Sequence, residues 1–215
     1  MKRAQAGFTL VEIAVVLVII GLLLGGVLKG QELINSAKVK SLINDFRSVS
    51  TMIYAYQDRF RAFPGDDARA NDHVGPNSVA STPANDLGNG RIGGNWNSTT
   101  TTDESYRVWL HLRRANLTTG SVDVSDPATY LPNNAESGRI GVTGFAPLSS
   151  LAGSFFVCSS GINARFARQI DSSMDDGNTS TGNVQVEDPG TPSQSLALTA
   201  ADESGSATYA VCVAY

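Results

Sequence analysis

Glu12 is the residue whose surroundings make chemistry most expected. It is the only charged side chain between Phe8 and Leu28. A carboxylate inside a membrane-spanning run costs up to roughly 2.5–3.5 kcal/mol on insertion scales, and Glu12 stands near the start of this one. An acid in that position needs a partner, and what it offers is ion pairing rather than catalysis. A second acidic group surrounds a turn at Asp171, Asp175, Asp176 and Asn178. Hard oxygen donors at this density suit calcium, although the spacing does not match an EF-hand loop and its distal Glu is missing. Glu187 and Asp188 are further oxygen donors along the chain. The competing reading is a solvated Asp-Gly turn behind a helix. His73 and His111 stand alone, no G-x-S-x-G is present, and no phosphate-binding glycine loop follows a strand. Solvated carboxylates in a turn make poor general acids. The chain is therefore expected not to be an enzyme.

The elements that must carry these residues begin with the apolar run itself. Its 21 residues, Phe8 to Leu28, would form a helix of about 31 Å, which matches a hydrocarbon core of about 30 Å. Lys2 and Arg3 precede it. The positive-inside bias keeps that leader cytoplasmic and sends the remainder outward. An ordinary secretory signal does not fit, because no small-residue cleavage site follows the run at Gly25 to Lys29. The outer side is oxidising, so Cys158 and Cys212 read as one disulfide. Two buried free thiols are the alternative. Zinc is disfavoured, since only two histidines are at hand and no close ligand spacing exists.

Beyond Lys29 the pattern turns amphipathic. Val39, Leu42, Phe46, Val49, Ile53, Tyr56 and Phe60 alternate spacings of three and four, a heptad stripe. Phe63-Pro64-Gly65 should end the helix, because Pro cannot continue it. Gly21/Gly25 and Gly26/Gly30 form two small-xxx-small pairs, which let helix backbones approach closely. Each also weakens the helix by about 1 kcal/mol relative to Ala.

Residues 64–102 read as a long loop rich in turn signals. A short helix is expected over Asp103 to Asn116, with Trp109 as its anchor and His111 a surface or half-buried residue rather than a catalytic base. Strand-like runs follow at Arg139–Val142, Ser154–Cys158, Gly182–Val186 and Ala207–Val213, with a further helix over Ala164 to Ser173. The expected fold class is α+β: a long N-terminal helix, membrane-spanning and then amphipathic, packed on a C-terminal antiparallel sheet. A length of 215 residues allows one anchor and one globular domain. The formal charge of −4 argues against a nucleic-acid surface spread over the protein. Arg107, Arg113 and Arg114 form either a small basic patch or a solvated helix face.

Gly7-Phe8-Thr9-Leu10-Val11-Glu12, set between a basic leader and a membrane-length run, resembles the cleavage and methylation motif of type IV pilins and of the pseudopilins of type II secretion. The resemblance covers about the first 60 residues. It implies cleavage after Gly7 by a prepilin peptidase and N-methylation of Phe8. The amine freed at Phe8 would then pair with a neighbour's Glu12, setting register between subunits. The implied organisation is a leader at 1–7, a transmembrane and filament-core helix at 8–28, an amphipathic helix at 29–63 and a globular pilin head at 64–215. Loss of the leader removes Lys2 and Arg3 and leaves side chains summing to about −6.

The implied function is a structural subunit of a type IV pilus-like filament. It would insert once in the inner membrane, N-terminus cytoplasmic, and later enter a periplasmic or extracellular filament. Its partners would be homologous pilin or pseudopilin subunits, the peptidase and an inner-membrane assembly platform. The alternatives are a type II secretion pseudopilin and a membrane-tethered module binding DNA or a surface. Mature length favours a minor or unusually large subunit, and Glu12 argues against the extreme tip position. Major pilins of the family often carry a Pro where the filament helix melts; here the glycines would have to serve.

Overall fold

The structure is a computed structural model that describes residues 9–81 and 86–215. The chain divides into two compact units, residues 1–38 and 39–215. Helix α1, Leu10–Phe60, contributes to both. In the first unit α1 is helical through all four glycines, and its apolar side chains are exposed. Its most apolar 18-residue window has a mean hydropathy of 2.8 and none of it is buried. A helix that apolar and that bare needs lipid or other apolar helices around it.

In the second unit the heptad stripe does what its spacing predicts. Val39, Leu42, Phe46, Val49, Ile53 and Tyr56 are buried, while the positions between them are largely polar and exposed. The helix ends at Phe60, where Arg61 turns to φ 57° and donates its N–H to the Gln57 carbonyl at 2.8 Å. The buried stripe joins one hydrophobic core with residues of α3 (Glu104–Arg114), α5 (Ala164–Met174) and a four-stranded sheet.

That sheet comprises β1 (Ile140–Thr143), β2 (Phe156–Asn163), β3 (Val184–Val186) and β4 (Thr208–Ala214). Its spatial order is β1-β2-β4-β3 and every pairing is antiparallel. Alternation along β2 sends Val157 to the main core, and a register shift between Ser159 and Ile162 returns Ile162 to the same side. Phe156 and Cys158 face a second cluster under Leu148 and Leu151. Helix α5 packs against β2, β3 and β4, and α3 against β1. The fold is thus α+β, a long helix packed on a C-terminal antiparallel sheet. Two short helices, α2 (Ala70–Val74) and α4 (Pro127–Tyr130), carry too little pattern to be read from sequence.

The segment after α1 is built around buried acids. Asp66 accepts the backbone N–H groups of Gly88, Asn89 and Gly90 at 2.6, 3.1 and 2.7 Å. Asp67 accepts Tyr56 Oη–H at 2.8 Å and His73 Nδ1–H at 2.6 Å. Glu104, at the start of α3, accepts the Gly93 N–H at 2.6 Å. Gly65 sits at φ 93°, and a Cβ there would lie 2.4 Å from the Glu104 carbonyl oxygen, so only glycine fits. The turn-rich region is therefore held by carboxylates that replace a backbone ladder.

Candidate functional site

The first turn of α1 is closed by its own side chains. Glu12 Oε2 accepts the Thr9 N–H at 2.8 Å and the Thr9 hydroxyl at 2.8 Å. In return Thr9 Oγ1 accepts the Glu12 N–H at 3.3 Å. This reciprocal pair is a capping box, spelled T-x-x-E at residues 9–12. The T-x-x-E spelling is a local signal legible in the sequence, and the sequence-based expectations did not include it. One carboxylate oxygen is thereby committed within the helix, and both residues stay exposed. Below them run Leu10, Val11, Ile13 and the rest of the bare apolar surface. Gly7 and Phe8 lie outside the described residues.

In the head, Cys158 and Cys212 are bonded, and they face each other directly in the β2–β4 register. The bridge closes a sequence separation of 54 and lies fully buried against Leu148 and Leu151.

The acids of the 171–178 segment are also brought together. One oxygen of each of Asp171, Asp175 and Asp176 lies within 4.8 Å of the others. Asp171 is fully buried on α5, and the Gly177 backbone N–H is the donor that acts on its carboxylate. Burial, with Asp176 and Asp175 beside it, pushes its carboxyl up to about 6. Asp175 accepts the Asn183 and Val184 N–H groups at 2.6 and 2.9 Å, tying the end of α5 to the start of β3. Asp176, which is exposed, accepts from the Asn178 N–H and the Thr181 hydroxyl, both at 2.8 Å. The Asn178 amide oxygen is turned to Ser180, accepting its N–H at 3.2 Å and its hydroxyl at 2.9 Å. Glu187 bridges to Ser195, and Asp188 accepts the Gly190 N–H at 2.8 Å within its own turn.

His111 departs from expectation. It is fully buried, not at the surface. Its Nδ1 accepts the Gly65 N–H at 2.9 Å and its Nε2 donates to the Ser78 carbonyl at 2.9 Å. Burial lowers its titration to about 4, so the ring is a neutral connector between α3 and the 64–78 segment. The spacing around α3 hides this, because nearly the whole helix is enclosed and no single face marks the inside.

The three arginines of α3 form neither a basic patch nor a plainly solvated face. Arg113 is buried, donating to the Ser121 and Tyr130 carbonyls at 2.6 Å each. Arg114 donates to the Pro76 carbonyl at 2.5 Å, and Arg107 to the Thr101 carbonyl at 2.6 Å. Their donors close loop carbonyls that would otherwise lack partners. Glu104 is buried too, with Oε1 unpartnered. Burial, added to the nearby Asp66, Asp86 and Asp103 charges, pushes its carboxyl up to about 7 despite the Gly93 hydrogen bond.

Residues 2–28 match the family described as the prokaryotic N-terminal methylation motif. No curated protein and no solved structure is significantly similar to the chain. The match spans the basic leader, the capped turn at Thr9–Glu12 and the bare apolar helix as far as Leu28. The chain carries at its N-terminus the hallmark of the prepilin-like proteins, the type IV pilins and pseudopilins.

Proposed function

We propose that the chain is a structural subunit of a type IV pilus-like filament. It is held in the inner membrane by α1, cleaved after Gly7 and methylated at Phe8. The observation that carries this reading is the part of α1 from Leu10 to Leu28, exposed throughout and apolar but for one acid in its first turn, inside the matched motif. A helix so bare has two stable settings, a bilayer or a bundle of like helices. The Glu12 carboxylate suits the second setting. Cleavage supplies an α-amine, and the second carboxylate oxygen is available to a neighbour's amine. Separating such a pair inside an apolar bundle leaves both charges uncompensated, which costs several kcal/mol. The pair therefore selects axial register between subunits. The prepilin peptidase and an assembly platform are the partners this requires, and the enclosed head domain contributes the outer surface.

Mass spectrometry of the protein from membranes and from sheared filaments tests the reading. The expected species begins at Phe8, bears one N-terminal methyl group, and is recovered from surface filaments. Protein that keeps Met1 under all conditions would overturn it. Processed protein found only with a secretion apparatus, and never in surface filaments, would assign it to the pseudopilins instead.

A further inference from the structure

We propose that the head carries a binding cleft for one neutral sugar ring, on the face of the sheet that α1 does not cover. The cleft holds about 250 Å³ and lies between residues 95–97, residues 143–147 at the end of β1, and the turn at residues 187–193. Such a volume, just below the range of about 300–1,000 Å³ for drug-sized ligands, admits a single ring unit. Trp96, in its wall, joins the second cluster around the disulfide, whereas the α1 stripe packs on the opposite face. The walls are fixed to one another. Thr143 Oγ1–H donates to the Gly94 carbonyl at 2.8 Å, and the Gly144 N–H to the Ile92 carbonyl at 2.7 Å. A Cβ at Gly141 would strike the Trp96 carbonyl, so that segment lies directly on β1. The Ser149 N–H donates to the Ser193 carbonyl at 2.9 Å, and Ser193 is held at φ 69°, a conformation that residues other than glycine seldom take. A cleft formed in advance loses little affinity to ordering.

The lining selects the ligand. Phe145 is 46% exposed and Trp96 is half-buried, so both rings offer apolar surface. Asn95 and Asn97 are exposed in the same wall, each with an amide that both donates and accepts, and Glu187 adds a carboxylate. Among the described residues nothing hydrogen-bonds to these three side chains, so their polar capacity is open to a ligand. A pyranose matches this mixture. Its ring carbons present C–H faces to aromatic rings, and each hydroxyl donates and accepts. Other classes fit worse. Glu187 opposes phosphate and other anions. The Arg91 guanidinium already stands over the Phe145 ring, 5.2 Å from its centroid, which disfavours an ammonium ligand there. A lipid chain would leave two amides and a carboxylate covered without partners.

The test is titration of the full chain, in a detergent whose head group is not a sugar, with chitotriose, cellotriose, mannotriose and galactobiose. Tryptophan emission and saturation-transfer NMR are the readouts. Trp109 is buried in the core, so a ligand-dependent change in emission reports on Trp96. At least one of the four is expected to bind, with a Kd on the order of 10⁻³ M for a single seated ring. Asn97→Ala and Glu187→Gln, which leave the packed residues untouched, should each weaken binding at least about fivefold. Asp72→Asn, an exposed acid on α2, should not. A well-folded chain that binds none of the four at about ten times that concentration would overturn the site. So would binding that survives both cleft variants. Phosphocholine or inorganic phosphate held in place of every sugar would overturn the ligand class. The cleft needs neither cleavage nor assembly, so its failure leaves the filament reading intact, and unprocessed protein can still bind.

Discussion

Thr9 and Glu12 hold each other at the start of α1, the Thr9 N–H on Glu12 Oε2 at 2.8 Å and the Glu12 N–H on Thr9 Oγ1 at 3.3 Å. Glu12 thus caps its own helix, and the proposed pairing with a neighbour's amine would add a second, separable role for its charge. Glu12→Gln separates them, because Gln also serves in a capping box but carries no charge. The expected outcome is normal insertion and cleavage for Glu12→Gln, with incorporation into filaments impaired as severely as in Glu12→Leu. Thr9→Val removes the cap, worth about 0.5–2 kcal/mol, and should incorporate better than either. Quantifying sheared filaments by immunoblot checks this. Full rescue by Gln would move the function from the charge to the cap.

The four glycines of the first unit are open to a simple probe. A Cβ added at Gly21, Gly25, Gly26 or Gly30 meets nothing within 4 Å. Alanine at each position should therefore raise helix stability by about 1 kcal/mol in the isolated chain. Any defect then reports on contact or melting between subunits rather than on the chain itself. Gly25→Ala with Gly26→Ala should keep membrane insertion and helicity by circular dichroism while lowering filament yield. Unchanged yield would remove these glycines from the assembly argument.

Glu104 gives the head a pH dependence of definite sign. Its carboxyl rises from an ordinary 4.5 to about 7, chiefly by burial. Between those values the folded chain keeps a proton that the unfolded chain has released, so this group's stabilisation is complete below 4.5 and lost as pH rises to about 7. His111 acts oppositely. Burial lowers it from 6.5 to about 4, so its contribution grows as pH rises across that range. The contrast between wild type and Glu104→Gln isolates the acid. The variant should match wild type near pH 4.5 and gain on the order of 1–3 kcal/mol by pH 7. Denaturant melts at several pH values measure this; parallel curves would refute it.

Reduction of the Cys158–Cys212 bridge should destabilise the head without dissolving its sheet. The loop it closes spans a separation of 54 residues, worth about 4 kcal/mol in the chain-entropy account. Its two strands also share an antiparallel ladder from Phe156/Ala214 to Asn163/Thr208, which survives reduction. Cys158→Ala with Cys212→Ala should lower unfolding free energy by about 2–4 kcal/mol and keep the far-UV spectrum. A loss under about 1 kcal/mol would mean that the ladder already restricts the unfolded chain.

Local and periodic signals made the N-terminal part of the chain legible. The apolar run, the position of Glu12 and the three-four spacing from Val39 to Phe60 each report on one helix, where neighbours in sequence are neighbours in space. The strand runs were legible where they are apolar, at Phe156–Cys158 in β2 and Tyr209–Val213 in β4, whereas β2 continues through Ser159, Ser160 and Gly161 to Asn163 beyond the expected run. The acids of the head were a different matter. Asp66 meets residues 22–24 positions away, and His111 joins Gly65 across 46. No periodicity encodes such pairings, because they depend on which loops are folded over which helix. Sequence therefore determined that this protein has an apolar N-terminal helix with one acid and an α+β head. Only the tertiary structure decided that Glu104 and His111 are enclosed, that the α3 arginines close loop carbonyls, and that Asp171 is buried beside Asp175 and Asp176. Burial is a property of the assembled chain, and the ionisation of these groups follows from burial.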